Sequence, residues 1–102
     1  MNFRVLHEAY SEAITAAIWY DDRQPGLGDD FLSVLRLTYD SIRTNPAGFP
    51  LVEYGKESDQ FRRCRMKRFP YVAVFLCRPD EIVIVAVAHT RRRPLYWLSR
   101  LE

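Results

Sequence analysis

The strongest constraint on the fold is a change in hydrophobic periodicity near the middle of the chain. Between residues 8 and 44 the apolar residues recur every three or four positions, which is the spacing of amphipathic helices. From residue 61 to residue 88 they alternate or run continuously, as is typical of β-strands. A segment rich in proline, glycine and polar residues, 45–60, separates the two patterns and is expected to be a loop. Such a chain must pack its helices against a sheet, because neither half can bury its apolar side alone.

The first half predicts two helices, one over residues 8–22 and one over residues 27–44. Asn45-Pro46 should end the second helix, because the residue before a proline avoids helical backbone angles. The connector is so short that the two helices should form an antiparallel hairpin. The apolar stripes predicted to be buried are Tyr10, Ala13, Ile14, Ala17, Ile18 and Trp19 in the first helix and Leu27, Phe31, Val34, Leu35, Thr38 and Ile42 in the second.

The remaining elements are strands. Residues 3–6 predict a short first strand, and residues 61–68, 72–78 and 81–88 predict three more. Their close connections make the last three an antiparallel meander. The final strand is apolar on both faces and should therefore be central.

These elements define an α+β fold in the order β-α-α-β-β-β, in which the helical hairpin packs on a mainly antiparallel sheet. The tail, residues 89–102, is expected to form a short C-terminal helix or an ordered arm. At 102 residues the chain is expected to make a single domain, 1–102.

Composition bears on where the protein acts. The longest apolar run, Ile82–Ala88, is far shorter than the roughly 18 residues of a membrane span, so no membrane partner is expected. Residues 1–5 lack the basic-then-apolar pattern of a signal peptide, and we expect a cytoplasmic protein. Cys64 and Cys77 are the two cysteines, and in a reducing compartment both should be free thiols in the core. No cluster of ligands suggests a metal, and no cofactor is expected.

Charge is distributed unevenly along the chain. Residues 1–60 carry five Lys/Arg against ten Asp/Glu, whereas residues 61–102 carry ten against three. A basic half within one small domain indicates either a polyanionic target or an acidic protein partner. The alternative is a pair of solvated faces that attract each other across the domain.

The densest basic cluster lies on the strand predicted over residues 61–68. A period of two places Arg63, Arg65 and Lys67 on one face of that strand. Cations about 7 Å apart along a sheet face repel one another unless they meet anions. A phosphate backbone or an acidic peptide would satisfy them, although charge also protects edge strands against aggregation.

A second cluster, residues 89–97, directly follows the central strand. Its three consecutive arginines, Arg91–Arg93, can grip phosphate or carboxylate groups with their planar guanidinium forks. His89 could act as a general acid or base, because an imidazole ring can both donate and accept a proton. Tyr96 and Trp97 could stack on a ligand. In the structural alternative His89 caps the strand end, and the two aromatic residues attach the tail to the core.

Several short motifs follow one another along the chain in a characteristic order. They are Trp19-Tyr20, Gln24-Pro25-Gly26-Leu27-Gly28 with Phe31, Asn45-Pro46 with Phe49-Pro50, Arg62-Arg63 with Arg68-Phe69-Pro70-Tyr71, and the segment 86–97. Each is degenerate alone, but together they cover nearly the whole chain. The set resembles the RelE/ParE superfamily of type II toxins. That resemblance implies the β-α-α-β-β-β fold and a cognate antitoxin that wraps the toxin with an extended, partly disordered segment.

The superfamily divides in mechanism, and the resemblance implies two candidate sites. RelE-like members are ribosome-dependent endoribonucleases that cleave mRNA without metal. ParE-like members bind DNA gyrase and stall it on cleaved DNA, without chemistry of their own. The catalytic candidates under the first mechanism are Arg63, Arg65, Lys67, His89, Arg91 and Tyr96. The binding surface under the second is Arg63, Arg65, Lys67, Arg91, Arg92, Arg93, Tyr96 and Trp97.

The tail favours the ParE-like interpretation. An apolar strand leads into His-Thr-Arg and then into Leu95, Leu98 and Leu101, which is similar to that group. Only Lys56 and Lys67 are lysines, a poor match to the lysine-rich pattern of many RelE-type nucleases. We therefore expect a gyrase inhibitor, with the ribosome-dependent nuclease as the alternative. A non-toxic family member or a basic nucleic-acid-binding domain remains a second alternative.

Overall fold

The computed structural model describes residues 1–52 and 61–101. Its helices and strands follow the predicted order and confirm the α+β fold. No helix in these two ranges has the length and apolar character needed to cross a membrane. The elements are β1 (Asn2–Val5), α1 (His7–Arg23), α2 (Leu27–Thr44), β2 (Phe61–Arg65), β3 (Tyr71–Cys77) and β4 (Glu81–His89), with short 3-10 helices at Pro46–Gly48 and Leu98–Leu101.

The four strands form one sheet in the order β1-β4-β3-β2. β1 runs parallel to β4, and the other two pairings are antiparallel. β4 is thus an interior strand, as its two apolar faces predicted, and Ile82–Ala88 are all buried. Most of the predicted loop, residues 53–60, lies outside the described residues.

A β-bulge interrupts the pairing of β3 with β4. Val74 pairs with Ala86 but Phe75 pairs with Ile84, so Val85 has no partner on β3. The side chains of Val85 and Ala86 consequently belong to the same core cluster, on one face of the sheet. The bulge also changes which backbone groups of β4 lie at the edge beside β1.

The turn between the helices explains the motif at residues 24–28. Gly26 has a φ of 91°, which disfavours any residue with a side chain. The Asp21 carboxylate accepts hydrogen bonds from the backbone N–H groups of Gly26 at 2.9 Å and Gly28 at 3.2 Å. A Cβ at Gly28 would lie 2.5 Å from the carbonyl oxygen of Ala17, so the helices approach this closely only because Gly28 lacks a side chain.

The stripe predicted for α1 is wrong in part. The buried residues are Ala9, Ala13, Ala16 and Ala17, whereas the larger side chains of Tyr10, Ile18 and Trp19 are exposed. Alanine allows α1 to approach both α2 and the sheet closely, and that tight packing leaves no room for the larger residues of the same helix. The stripe predicted for α2 is closer, since Phe31, Leu35, Thr38 and Ile42 are buried.

The helix-side face of the sheet, the face that the hairpin covers, holds an aromatic cluster. Phe31 is fully buried, and its ring centroid lies 5.5 Å from Tyr20, 5.2 Å from Phe69 and 5.1 Å from Tyr71. Cys64 is also buried on this side, and both Cys64 and Cys77 are free thiols. Aromatic pairs at such distances add to the stability that their burial provides.

The tail-side face, the opposite face of the sheet, is covered by the C-terminal segment, which we define as residues 94–101. Trp97 packs on Phe61 with their ring centroids 4.8 Å apart. Leu95, Leu98 and Leu101 pack against the same buried cluster and remain partly exposed. The predicted terminal helix is thus a short 3-10 helix that lies on the sheet.

Candidate functional site

Three of the predicted arginines meet at a groove on the tail-side face. Arg63 projects from β2, and Arg92 and Arg93 follow the end of β4. We call this groove, with a volume of about 230 Å³, the arginine groove. Apolar side chains such as Val72, Val74 and Ala88 also line it, with His89, Thr90, Tyr96 and Trp97. No carboxylate lies among its described lining residues, so it suits a ligand that combines apolar and anionic groups.

The other predicted cations lie outside this lining. Arg65 is exposed on β2 two residues after Arg63 and therefore projects from the same face. Lys67 lies beyond the end of β2, which stops at Arg65 rather than continuing to residue 68 as predicted. The chain turns there, and Arg68 takes a left-handed φ of 69°, so the strand alternation does not extend to Lys67. Arg91 is exposed in the turn after β4.

His89 ends β4 and is held by its neighbours. Its ring makes an edge contact with Tyr71 at a centroid distance of 5.1 Å. Its Nδ1 atom accepts a hydrogen bond of 3.0 Å from the backbone N–H of Arg91. His89 therefore organises the turn that carries the arginines, in agreement with the structural alternative, and it also lines the arginine groove.

Tyr96 is bound to a carboxylate that the sequence analysis did not single out. Its hydroxyl donates a hydrogen bond to Oε2 of Glu12 on α1. Burial raises the pKa of Tyr96, and the hydrogen bond to Glu12 and the charge of Glu12 raise it further. The guanidinium carbon of Arg92 lies 3.8 Å from the centroid of the Tyr96 ring. This phenol is thus poorly suited to accept or release a proton near neutral pH.

Glu12 also binds Arg100 in the C-terminal segment. Arg100 Nη1 donates to Oε1 at 2.7 Å and Nη2 donates to Oε2 at 3.0 Å, which is a bidentate pair. Each of the two side chains is only 15% exposed. Burial opposes ionisation of Glu12, but the hydrogen bonds from Arg100, Tyr96 and the Val87 amide outweigh it and leave the pKa of Glu12 below its ordinary value.

Trp97 is not displayed to solvent. Only 4% of it is exposed, because its ring is buried against Phe61. It therefore attaches the tail to the core, in agreement with the structural alternative, and it also lines the arginine groove.

A second and larger groove lies between α1 and the end of β4, on the helix side. We call it the α1–β4 groove; its volume is about 740 Å³. Trp19, which is 49% exposed, lines it together with Tyr20 and Tyr71. His89 and Arg92 border both this groove and the arginine groove. The two grooves therefore meet at the turn after β4.

The spacing of residues in α1 indicates that Glu12 needs a partner inside the protein. Glu12 lies three residues after Ala9 and four before Ala16, so it belongs to the buried alanine face of α1. A carboxylate on a buried face requires a partner. Nothing in the local pattern identifies that partner, because Arg100 is 88 residues away. Trp19 was assigned to the hairpin core, where an aromatic residue at a helix end usually lies.

Comparison with known proteins agrees with this architecture. A family model described as "ParE toxin of type II toxin-antitoxin system, parDE" matches residues 5–94. A solved structure of the chromosomal ParDE TA system from P. aeruginosa is similar, with a TM-score of 0.73 and 13% sequence identity. That likeness covers 87% of this chain and 95% of the other, and at such identity it establishes the shared fold. No curated protein matches the sequence. Because the family model spans most of the sequence, the chain belongs to the ParE toxin family of type II toxin–antitoxin systems.

Proposed function

We propose that this toxin inhibits DNA gyrase by binding it, and that a cognate antitoxin neutralises the toxin. The match to the ParE toxin family over residues 5–94 carries the proposal. Gyrase acts on DNA in the cytoplasm, so the proposal also requires the toxin to reside there.

The arginine groove supports a binding role. It combines Arg63, Arg92 and Arg93 with an apolar floor, and Arg65 extends the positive charge along the same face. Arginine is the basic side chain best suited to interfaces, because its planar fork binds carboxylates and its weak hydration lowers the cost of burial. An acidic protein surface, or the DNA held by gyrase, would complement this face.

The hydrogen bonds of Tyr96 and His89, the two candidates for proton transfer, favour a binding role over a catalytic one. The Tyr96 hydroxyl is engaged by Glu12, and its pKa is raised by burial and by that carboxylate. The Nδ1 atom of His89 is occupied by a backbone N–H. An endoribonuclease needs a general base and a general acid that are free to reach the RNA.

The ribosome-dependent nuclease remains the second candidate. Its supporting observation is that His89 lies beside Arg63, Arg92 and Tyr96 around one groove. Cations at such a site could stabilise the charge on a transition-state phosphate.

Two assays on the purified, antitoxin-free protein separate these functions. The first measures supercoiling by gyrase and the second measures cleavage of mRNA on programmed ribosomes. We expect loss of supercoiling with intact mRNA. Cleavage of mRNA with gyrase unaffected would contradict the proposal and would make His89 and the groove arginines catalytic candidates.

For the antitoxin we propose the α1–β4 groove as the main docking site. Trp19, Tyr20 and Tyr71 supply apolar area for a partner segment, and Arg92 at its end would pair with an acidic residue. The few residues that dominate the energetics of protein interfaces are enriched in tryptophan and tyrosine, and truncating such a residue costs about 2 kcal/mol or more.

The antitoxin site is tested by Trp19→Ala, measured as antitoxin affinity. We expect affinity to fall by more than about tenfold, the equivalent of about 1.4 kcal/mol. Tyr10→Ala is the matched control, because Tyr10 is an exposed aromatic of the same helix outside the described lining of the groove. If the two variants bind the antitoxin with equal affinity, the antitoxin binds at another site.

A further inference from the structure

Among the described residues, a strand pairs with the β1-side edge of β4 along only half of its length. β1 pairs with residues 81–84, and the last backbone hydrogen bond runs from Leu6 N–H to the Ile84 carbonyl at 3.0 Å. The chain then enters α1 at His7. Beyond Ile84 the bulge at Val85 turns the backbone so that the carbonyl of Val85 and the N–H of Val87 lie at the uncovered edge.

Two side chains satisfy those backbone groups. Oε1 of Glu12 accepts from the Val87 N–H at 3.1 Å, and Nη1 of Arg100 donates to the Val85 carbonyl at 3.0 Å. A neighbouring strand would offer the same acceptor and donor at this position. The Glu12–Arg100 pair thus replaces a strand at the open edge of β4 and, because Arg100 is in the tail, fastens the C-terminal segment there.

Glu12 holds the C-terminal region at three points. Arg100 binds it through two hydrogen bonds, Tyr96 donates its hydroxyl, and Arg92 Nη1 lies 3.7 Å from Oε2. The centroid of the Tyr96 ring lies 3.8 Å from the guanidinium carbon of Arg92 and 5.1 Å from that of Arg100. One carboxylate on α1 therefore contacts both the C-terminal segment and an arginine of the turn that precedes it.

Removing one member of such a pair is costly. A buried charge without its partner keeps the desolvation penalty and loses the compensating attraction. Without Glu12, the guanidinium of Arg100 would lose its bidentate partner, and the Val87 N–H would lose its acceptor. Release of the C-terminal segment would return the Arg100 guanidinium to water, and this gain opposes the apolar contacts of Trp97 that hold the segment on the sheet.

We propose that Glu12 is a positioning residue that locks the C-terminal segment onto the sheet and thereby holds Arg92 and Arg93 in the arginine groove for the target. This inference rests on the proposed binding function for the groove. Glu12 itself, which is on α1 and only 15% exposed, is not proposed to contact the target.

The test combines hydrogen exchange with gyrase inhibition on the intact protein. In Glu12→Gln, which keeps the shape but removes the charge, we expect amides of residues 95–101 to exchange at least about tenfold faster. Amides of β3, residues 71–77, should keep their protection and so report an intact core. The concentration of toxin that halves supercoiling should rise by a similar factor. Asp22→Asn is the matched control, since it removes an exposed carboxylate from the same helix.

A second variant guards against a Glu12 variant that fails to fold. Tyr96→Phe removes only the hydroxyl bound to Glu12 and should raise exchange in residues 95–101 by a smaller factor, with the core intact. Unchanged exchange of the tail in a folded Glu12→Gln protein would overturn the lock. A released tail with undiminished inhibition would overturn its role in positioning the arginines. If the unaltered toxin leaves gyrase untouched, the gyrase proposal fails, and the lock is judged on hydrogen exchange alone.

Discussion

The two faces of the sheet differ in how they are built. On the helix-side face, two long helices and a cluster of four aromatic rings, Phe31 with Tyr20, Phe69 and Tyr71, cover the strands. On the tail-side face, the described residues that cover the sheet belong mainly to the C-terminal segment, and arginines border the groove beside it. Both faces bury apolar side chains, but the tail-side cluster is the smaller, and its covering segment is also held by the Glu12–Arg100 pair.

This difference indicates a division of labour. Burial of apolar area is the main source of stability, and the helix-side cluster is the larger of the two, so the helix-side face should carry most of the global stability. A short covering segment that is held partly by polar contacts can open locally without unfolding the domain. We infer that stability resides on the helix side, and that recognition of the target resides on the tail side.

The largest expected effect concerns Phe31. We expect Phe31→Ala to lower the free energy of unfolding by about 3–5 kcal/mol, because it leaves a large cavity among packed rings. Trp97→Ala removes a side chain of similar size from the tail side, and it should release the C-terminal segment with a smaller global loss. Chemical denaturation of the two variants checks this. Equal losses would show that the two faces contribute alike.

The second prediction removes charge from the tail side. We expect Arg63→Ala with Arg65→Ala to weaken gyrase inhibition by at least about tenfold, while stability changes by no more than about 0.5 kcal/mol per site. The double variant Arg36→Ala with Arg78→Ala removes two charges elsewhere on the surface and serves as the control. Full inhibition by the folded Arg63/Arg65 variant would show that β2 is not part of the working face.

The third prediction concerns acid. Glu12 has a folded-state pKa below its ordinary value of 4.5, so its stabilising contribution is complete above that pH and is lost as the pH falls through the lowered pKa. The difference in stability between the unaltered toxin and Glu12→Gln should therefore be present at neutral pH and should shrink in acid. Denaturation curves from pH 7 to pH 2 measure it. A difference that is constant with pH would mean that the Glu12 charge contributes nothing to stability.

The smallest expected effect is that of Tyr96→Phe. The variant keeps the ring beside the guanidinium groups of Arg92 and Arg100 and removes one hydrogen bond, which we expect to cost about 1–2 kcal/mol, since the acceptor is charged. Thermal denaturation against the unaltered toxin measures the change. A loss comparable to that of Trp97→Ala would mean that the hydroxyl, rather than ring packing, fastens the tail.

The sequence was sufficient to predict the buried face of α2 and the interior position of β4. The spacing of the apolar residues in α2 and β4 follows from local geometry, because the residues that share one face of a helix or a strand recur at a fixed interval. α1 was misread because alanines, rather than its large residues, face the core. Close packing favours the small residue where backbones approach, and hydrophobicity alone does not reveal that choice.

The candidate site was predictable only in part. Arg63, Arg92 and Arg93 were identified from charge density and strand alternation, and the structure brings them to one groove. Lys67 was misplaced because the length of β2 depends on a left-handed turn at Arg68. The link from Glu12 to Arg100 joins opposite ends of the chain, and no short-range pattern carries that information.

The most direct test of the division between the two faces is a hydrogen-exchange footprint of the antitoxin-free toxin bound to gyrase. We expect new protection in residues 89–97, the turn and tail beside the arginine groove, with no change along the outer surface of α2. Protection confined to α2, with exchange in residues 89–97 unaltered, would place the target on the helix side and contradict the assignment of recognition to the tail-side face.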